Sequence, residues 1–436
     1  MNWEREDLRH IWHPCSQMKD YEDLPPIVIE RGEGSYLYDI YGKEYIDIVG
    51  SWWCNLLGHC NPKINAAIAG QLETLEHVIF VNFTHKPAVQ YARRLAALLP
   101  PGLTKLHFSD NGSSAVECAL KMSFQFFAQT ETATRRQRFM CLTSSYHGET
   151  IGALAVGSMD LFTEIYKPLL NQAYRIPAPD CYRCPRGQSR DTCRCECAAF
   201  AEELFARHGA ECCALIVEPL VQGAGGMKMY PPEYLRVLRE LCDTYGVILI
   251  ADEIATGFGR TGTLFACEQA GITPDLMCLS KSITGGYLPF SLVAATQRVY
   301  DAFYADYSAS RAFMHSHTYS GNPLGCAAAL AVLDILEHDA VLESARQKAP
   351  VLHGELCAAL EAHPNVGEIR HIGLINALEL VADKSKKTPL ESRERWGYRV
   401  YKKALSMGLV LRPLGDVLYF NPALTTSQTT LSTAVQ

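Results

Sequence analysis

Val247-Ile248-Leu249-Ile250-Ala251-Asp252-Glu253 and Asp275-Leu276-Met277-Cys278-Leu279-Ser280-Lys281 share one pattern: a short apolar run ending in polar residues. The runs do not alternate apolar with polar, so they suit strands covered on both faces, as in a parallel sheet. The carboxylate Asp252 and the amine Lys281 then leave the C-terminal ends of two strands. In an open α/β sheet that edge is where ligands bind. Taken singly, Asp252 also reads as a helix cap and Lys281 as a snorkelling strand-end lysine.

The same alternation extends outward. Lys105–Phe108, Phe139–Leu142 and Ala214–Val217 read as further strands. Ile64–Leu75, Ala88–Leu99 and the amphipathic Ser114–Phe127 read as helices between them. Strands and helices in this order predict a mostly parallel sheet covered by helices, an α/β fold. Before it, Gly32–Asp47 reads as a hairpin turning at Tyr41-Gly42. After Gly321-Asn322-Pro323 comes a long alanine-rich helix, then strands near Ile375–Leu380, Leu409–Arg412 and Val417–Phe420, and a last helical segment from Thr425. The expected organisation is an N-terminal segment (1–60) and a C-terminal domain (331–436) forming a smaller α+β lobe, with a large domain (61–330) between them.

Bulk properties narrow the function. The chain has 436 residues, of which 48% are apolar, and a formal charge of −7. It is long enough for two or three lobes around a substantial core. No basic block offers an electrostatic footprint for nucleic acid. No apolar stretch approaches the ~20 residues of a membrane span, and the charged start Met1–Asp7 lacks a signal core. A cytoplasmic protein is expected. The seventeen cysteines do not resemble a secreted disulfide scaffold. Five of them (Cys181, Cys184, Cys193, Cys195 and Cys197) form a cluster in which only the first pair has zinc-knuckle spacing. Reduced cysteines that order a loop are expected there, with no metal.

The remaining chemistry-bearing residues sit beside the strand ends. Ser109–Ala115 joins a strand to a helix through small residues, so backbone N–H groups, the helix N-terminus and the hydroxyls of Ser113 and Ser114 can cradle a phosphate. A plain helix cap would use the same residues. Tyr146, in Tyr146-His147-Gly148, could stack on a planar ring, and Glu218 could bond a cofactor hydroxyl. Arg260, in Thr256–Gly262, is placed to meet a carboxylate in bidentate fashion, and Arg412 offers a second such arginine. A strand-end lysine that forms a Schiff base, an acid for a pyridinium nitrogen and a phosphate cup together match the needs of pyridoxal phosphate (PLP).

These residues resemble the fold-type I, class III PLP-dependent aminotransferases from about Leu8 onward. The family markers are Asp252-Glu253, Thr256–Gly262, Lys281 and Gly321-Asn322-Pro323. Ile11–Pro14, Ser51-Trp52-Trp53, Tyr146–Thr150, Val221–Met227 and Leu411–Gly415 look like the branch that serves biotin synthesis. The resemblance implies a seven-stranded-type sheet in the large domain. It implies that Lys281 carries PLP and moves the proton, that Asp252 pairs with the ring nitrogen, and that Tyr146 stacks on the ring. Gly112 and Ser113 would hold the phosphate, together with Thr318 of a neighbouring subunit in a homodimer, and Glu218 would belong to the same cofactor site. Trp52, Trp53, Arg260, Ser316 and Arg412 would line the substrate pocket, with Arg412 clamping a carboxylate. The implied reaction is transamination of 8-amino-7-oxononanoate to 7,8-diaminononanoate with S-adenosylmethionine as donor. The alternatives are lysine as donor, or another ω-aminotransferase acting on ornithine, 4-aminobutyrate or a diamine. One residue departs from the branch: Cys15 follows His13-Pro14 where an aromatic residue is usual.

Overall fold

The computed structural model describes residues 1–190 and 192–436. Its centre is a seven-stranded sheet. Across it the strands run Leu103–Ser109, Ser291–Thr296, Leu276–Leu279, Ile248–Asp252, Cys212–Val217, Arg138–Leu142 and Tyr174–Ile176. Six are mutually parallel; Ser291–Thr296 alone runs against its neighbours. Along Ile248–Asp252 the side chains divide between two cores. Leu249 and Ala251 join one, and Ile248 and Ile250 join the other. That two-sided burial is why the run shows no polar alternation.

The helix Gly112–Thr130 covers one face with Ala115, Val116, Ala119, Met122 and Phe126. The helices Pro62–Leu72, Lys86–Leu98 and Pro323–His338 pack together on the opposite side. Pro323–His338 is unbroken. It runs without a break across position 330/331, where the sequence reading divides the large domain from the C-terminal one.

Outside the large sheet, a four-stranded sheet draws on both ends of the chain. Ile29–Glu33, Tyr36–Asp39 and Glu44–Asp47 form an antiparallel meander with its second turn at Tyr41-Gly42, and Leu409–Val410 adds to it in parallel. Val366–Ile372, Ile375–Asp383 and Val417–Phe420 form a second antiparallel sheet. Two strands of the large sheet, Tyr174–Ile176 and Ser291–Thr296, have no counterpart in the sequence reading. The first is three residues long. The second follows directly on the Gly285-Gly286-Tyr287-Leu288-Pro289 turn and carries small residues that read ambiguously.

All seventeen cysteines are free thiols. Among the described residues no group of three or more His, Cys, Asp or Glu side chains stands ready to hold a metal ion. The cysteine loop is tied to the second small sheet by ion pairs, Arg183 to Glu379 and Arg190 to Glu368. Among the described residues no helix is long and apolar enough to cross a membrane.

Candidate active site

The strand ends and the N-terminus of Gly112–Thr130 enclose a cavity of about 550 Å³. Lys281, Asp252, Glu218, Tyr146, Gly112, Ser113 and Trp53 all line it. Lys281 opens the short turn Lys281–Thr284 with φ +43°, a left-handed backbone that a side-chain-bearing residue adopts at a cost. Burial pushes its ammonium below the usual lysine range, while Asp252 and Glu218 pull the other way. A lysine shifted downward is more often the neutral amine that can act as nucleophile and base.

Asp252 ends its strand with one oxygen accepting from the Ile254 N–H at 3.2 Å. The other oxygen stands 2.7 Å from Nδ1 of His147, and both side chains are buried. The Nε2 of His147 is buried without a partner. Nothing local to His147 in Tyr146-His147-Gly148 points at Asp252, 105 residues away, so the pairing is not visible in the sequence.

Glu218 receives the backbone N–H of Tyr146 at 3.1 Å and of Gly223 at 2.9 Å. Burial raises its carboxyl to about 7, with nearby Asp252 pushing the same way and His147 opposing. Tyr146 donates to Glu149 at 3.0 Å, and the Cys15 thiol donates to the same oxygen at 3.4 Å. Burial, followed by Glu149, raises the Tyr146 phenol well above its ordinary range.

The anion cradle is built by the helix start. Asn111 caps it, accepting from the Ser114 N–H at 3.1 Å. The first N–H groups of a helix have no intrahelical acceptor, so those of Gly112 and Ser113 are free to serve the cavity they line. A lysine, a strand-end carboxylate and a helix N-terminus around one space fit PLP: an aldehyde, a ring nitrogen and a phosphate each find a complementary group.

The other expected site residues lie elsewhere. Trp52 is 45% exposed, whereas Trp53 is 4% exposed. Arg412 stands over the Trp52 ring, 5.0 Å from its centroid, and donates to the Cys15 carbonyl at 3.2 Å. Ser316 and Thr318 are exposed on a segment whose His317 contacts Asp110 at the cavity rim, 2.8 Å away.

Arg260 is 1% exposed, and among the described residues its hydrogen-bond acceptors include no carboxylate. Its guanidinium donates to the carbonyls of Pro422 (2.6 Å), Trp53 and Asn55 (3.1 Å each) and Asn421 (3.4 Å), and to Oδ1 of Asn421 (3.2 Å). It fastens the 421–422 segment to the 50–55 turn, and burial pushes it down to about 10, against the opposing pull of Cys54 and Asp47. Its loop is equally tight: a Cβ on Gly259, at φ +94°, would stand 2.2 Å from Leu342.

Residues 17–436 match the family model Aminotransferase class-III. The chain is 48% identical over 421 residues to the adenosylmethionine-8-amino-7-oxononanoate aminotransferase of Geobacter sulfurreducens, covering 96% of this chain and 92% of that protein. It superposes on the crystal structure of the enzyme of that name from Methanocaldococcus jannaschii with TM-score 0.93 and 37% identity, over 99% and 97% of the two chains. The omega transaminase from Pseudomonas jessenii in complex with PMP gives TM-score 0.94 at 30% identity, over 100% and 96%.

Proposed function

The chain belongs to the class III aminotransferases, PLP-dependent enzymes, and from that premise we propose that it aminates 8-amino-7-oxononanoate to 7,8-diaminononanoate in biotin synthesis, with S-adenosylmethionine as donor. The reading is carried by the convergence of Lys281, Asp252 and the Gly112–Ser113 helix start on one cavity, in a chain similar end to end to enzymes of that name.

When bound, PLP supplies an electron sink that makes the donor's α-carbon acidic. The protein's own groups do the rest. Nζ of Lys281 would hold the cofactor and, once free, would move the proton as base and then acid. Asp252 holds the ring-nitrogen proton, and His147 fixes the rotamer of that carboxylate. The Gly112 and Ser113 N–H groups and the Ser113 hydroxyl receive the phosphate. Tyr146 closes one wall, held by Glu149, and Trp53 another. Arg412 on Trp52 meets the carboxylate of the long keto acid outside the ring site, where a half-buried guanidinium is reached without fully burying a charge. We assign Thr318 and Ser316 to the site of a partner subunit in a homodimer, because both are exposed and off the cavity of their own chain.

The test is direct. Holoprotein is mixed with 8-amino-7-oxononanoate and either S-adenosylmethionine or lysine, and the diamine is measured by mass spectrometry. Product with S-adenosylmethionine supports the assignment, and product with lysine alone reassigns the donor. No product with either refutes the acceptor and leaves the broader ω-aminotransferase substrates. Light scattering reads the dimer.

A further inference from the structure

Four consecutive residues, Gly50 to Trp53, have φ of +57, +43, +69 and +71°. Three carry side chains, and a left-handed turn of L-residues persists only where its surroundings over-determine it. Asp47 clamps one end. Its carboxylate is 3% exposed. Oδ1 accepts from the N–H of Ser51 (3.1 Å) and of Val49 (3.3 Å), and Oδ2 accepts from the Ser51 hydroxyl (2.7 Å) and pairs with Nε2 of His59 (2.9 Å). Arg260 clamps the other end through the Trp53 and Asn55 carbonyls. Gly50 is required where the ends meet, because a Cβ there would stand 2.9 Å from the Asn421 carbonyl.

The turn delivers the Trp53 ring. Tyr419 holds it edge-on at 5.9 Å, and its face lies 5.4 Å from Nζ of Lys281. An aromatic face within about 6 Å attracts a cation. We propose that Asp47 is a positioning residue for proton transfer: by holding the left-handed turn it keeps the Trp53 face on Nζ of Lys281, where the face stabilises the ammonium formed when Nζ takes the donor's α-proton. In that step the donor's C–H bond breaks and the proton joins the Nζ lone pair. The electron pair of the broken bond passes into the cofactor ring system. The proposal rests on the aminotransferase reading above. Asp252, Glu218, Cys54 and Arg260 also face Nζ and remain in every variant used to test it.

The variants are Asp47→Asn, which keeps one acceptor oxygen, and the milder Ser51→Ala, each checked for folding by circular dichroism. The first measurement is the Lys281 pKa in cofactor-free protein, read from pH-dependent reductive methylation and peptide mass spectrometry. Losing the aromatic face should lower it by roughly 0.5–1 unit in Asp47→Asn and by less in Ser51→Ala. The second is the half-reaction of holoprotein with α-deuterated S-adenosylmethionine. The rate should fall roughly three- to tenfold and the isotope effect rise, as proton transfer becomes more limiting. Lower melting temperatures with an unchanged Lys281 pKa and isotope effect would overturn the proposal. The first measurement needs no donor, so its failure is distinguishable from failure of the assigned reaction.

Discussion

Replacing Arg260 by alanine separates a structural tie from a substrate clamp. The side chain is 1% exposed, and its guanidinium donates to five oxygens, four of them backbone carbonyls. A buried acceptor left without a donor costs roughly 1–3 kcal/mol, so the low end alone is about 5 kcal/mol. Against this, the variant no longer buries a cation that lacks a carboxylate partner, which returns part of the loss. A net destabilisation of roughly 3–5 kcal/mol is expected. At about 2.1 cal/mol/K per residue, the unfolding entropy of a 436-residue chain is about 0.9 kcal/mol/K, so the melting temperature should drop by about 3–6 °C. Arg260→Lys should recover only part of it, because three donors on one nitrogen cannot reach carbonyls on both sides. Scanning calorimetry and steady-state kinetics on the same holoprotein read the outcome. A melting temperature within about 1 °C of wild type, together with an acceptor KM raised roughly 100-fold, would refute the reasoning, since a charge pair with substrate is worth that much and a tie between chain segments is not.

Three further outcomes follow from the site. Lys281→Ala should abolish covalent attachment of PLP and its visible absorption band, checked by spectrum and intact mass. Glu218 has a folded-state carboxyl at about 7 against an ordinary 4.5, so the folded protein binds the extra proton. In cofactor-free protein its contribution should therefore be fully present below about pH 4.5 and lost as pH rises to about 7, amounting to about 3 kcal/mol; Glu218→Gln should flatten that slope in denaturant titrations. His147→Phe removes the partner of Asp252 at 2.7 Å and leaves a buried carboxylate oxygen unmatched. The half-reaction should slow by roughly tenfold or more, with the cofactor still covalently bound, as read by stopped-flow absorbance.

Much of the site was legible because it is built from residues that must end a strand or start a helix. The runs before Asp252 and Lys281 are apolar on every residue because both faces of the sheet are covered, and their polar ends fall at the sheet's C-terminal edge. Ser109–Ala115 was legible as a strand-to-helix junction because small and capping residues gather at a helix start. The protein partners of Arg260 were not legible, for a matching reason. A glycine-rich loop carrying an arginine has the same local pattern whether the guanidinium meets a ligand carboxylate or backbone carbonyls. Trp52 and Trp53, adjacent in sequence, split into an exposed and a buried ring because their left-handed turn is no regular helix or strand.

By itself, then, the sequence determined the α/β layering and set Asp252 and Lys281 at strand ends and Ser109–Ala115 at a strand-to-helix junction, since each follows from hydrophobic periodicity and the residues that end a strand or start a helix. Tertiary structure alone decided which distant group satisfies each buried polar one. His147 reaches Asp252 across 105 residues, Arg412 reaches Cys15 across 397, and Arg260 reaches Asn421 and Pro422 from 161 and 162 positions away. Local patterns state that a buried donor or acceptor must be paired; the packing of distant segments supplies the partner.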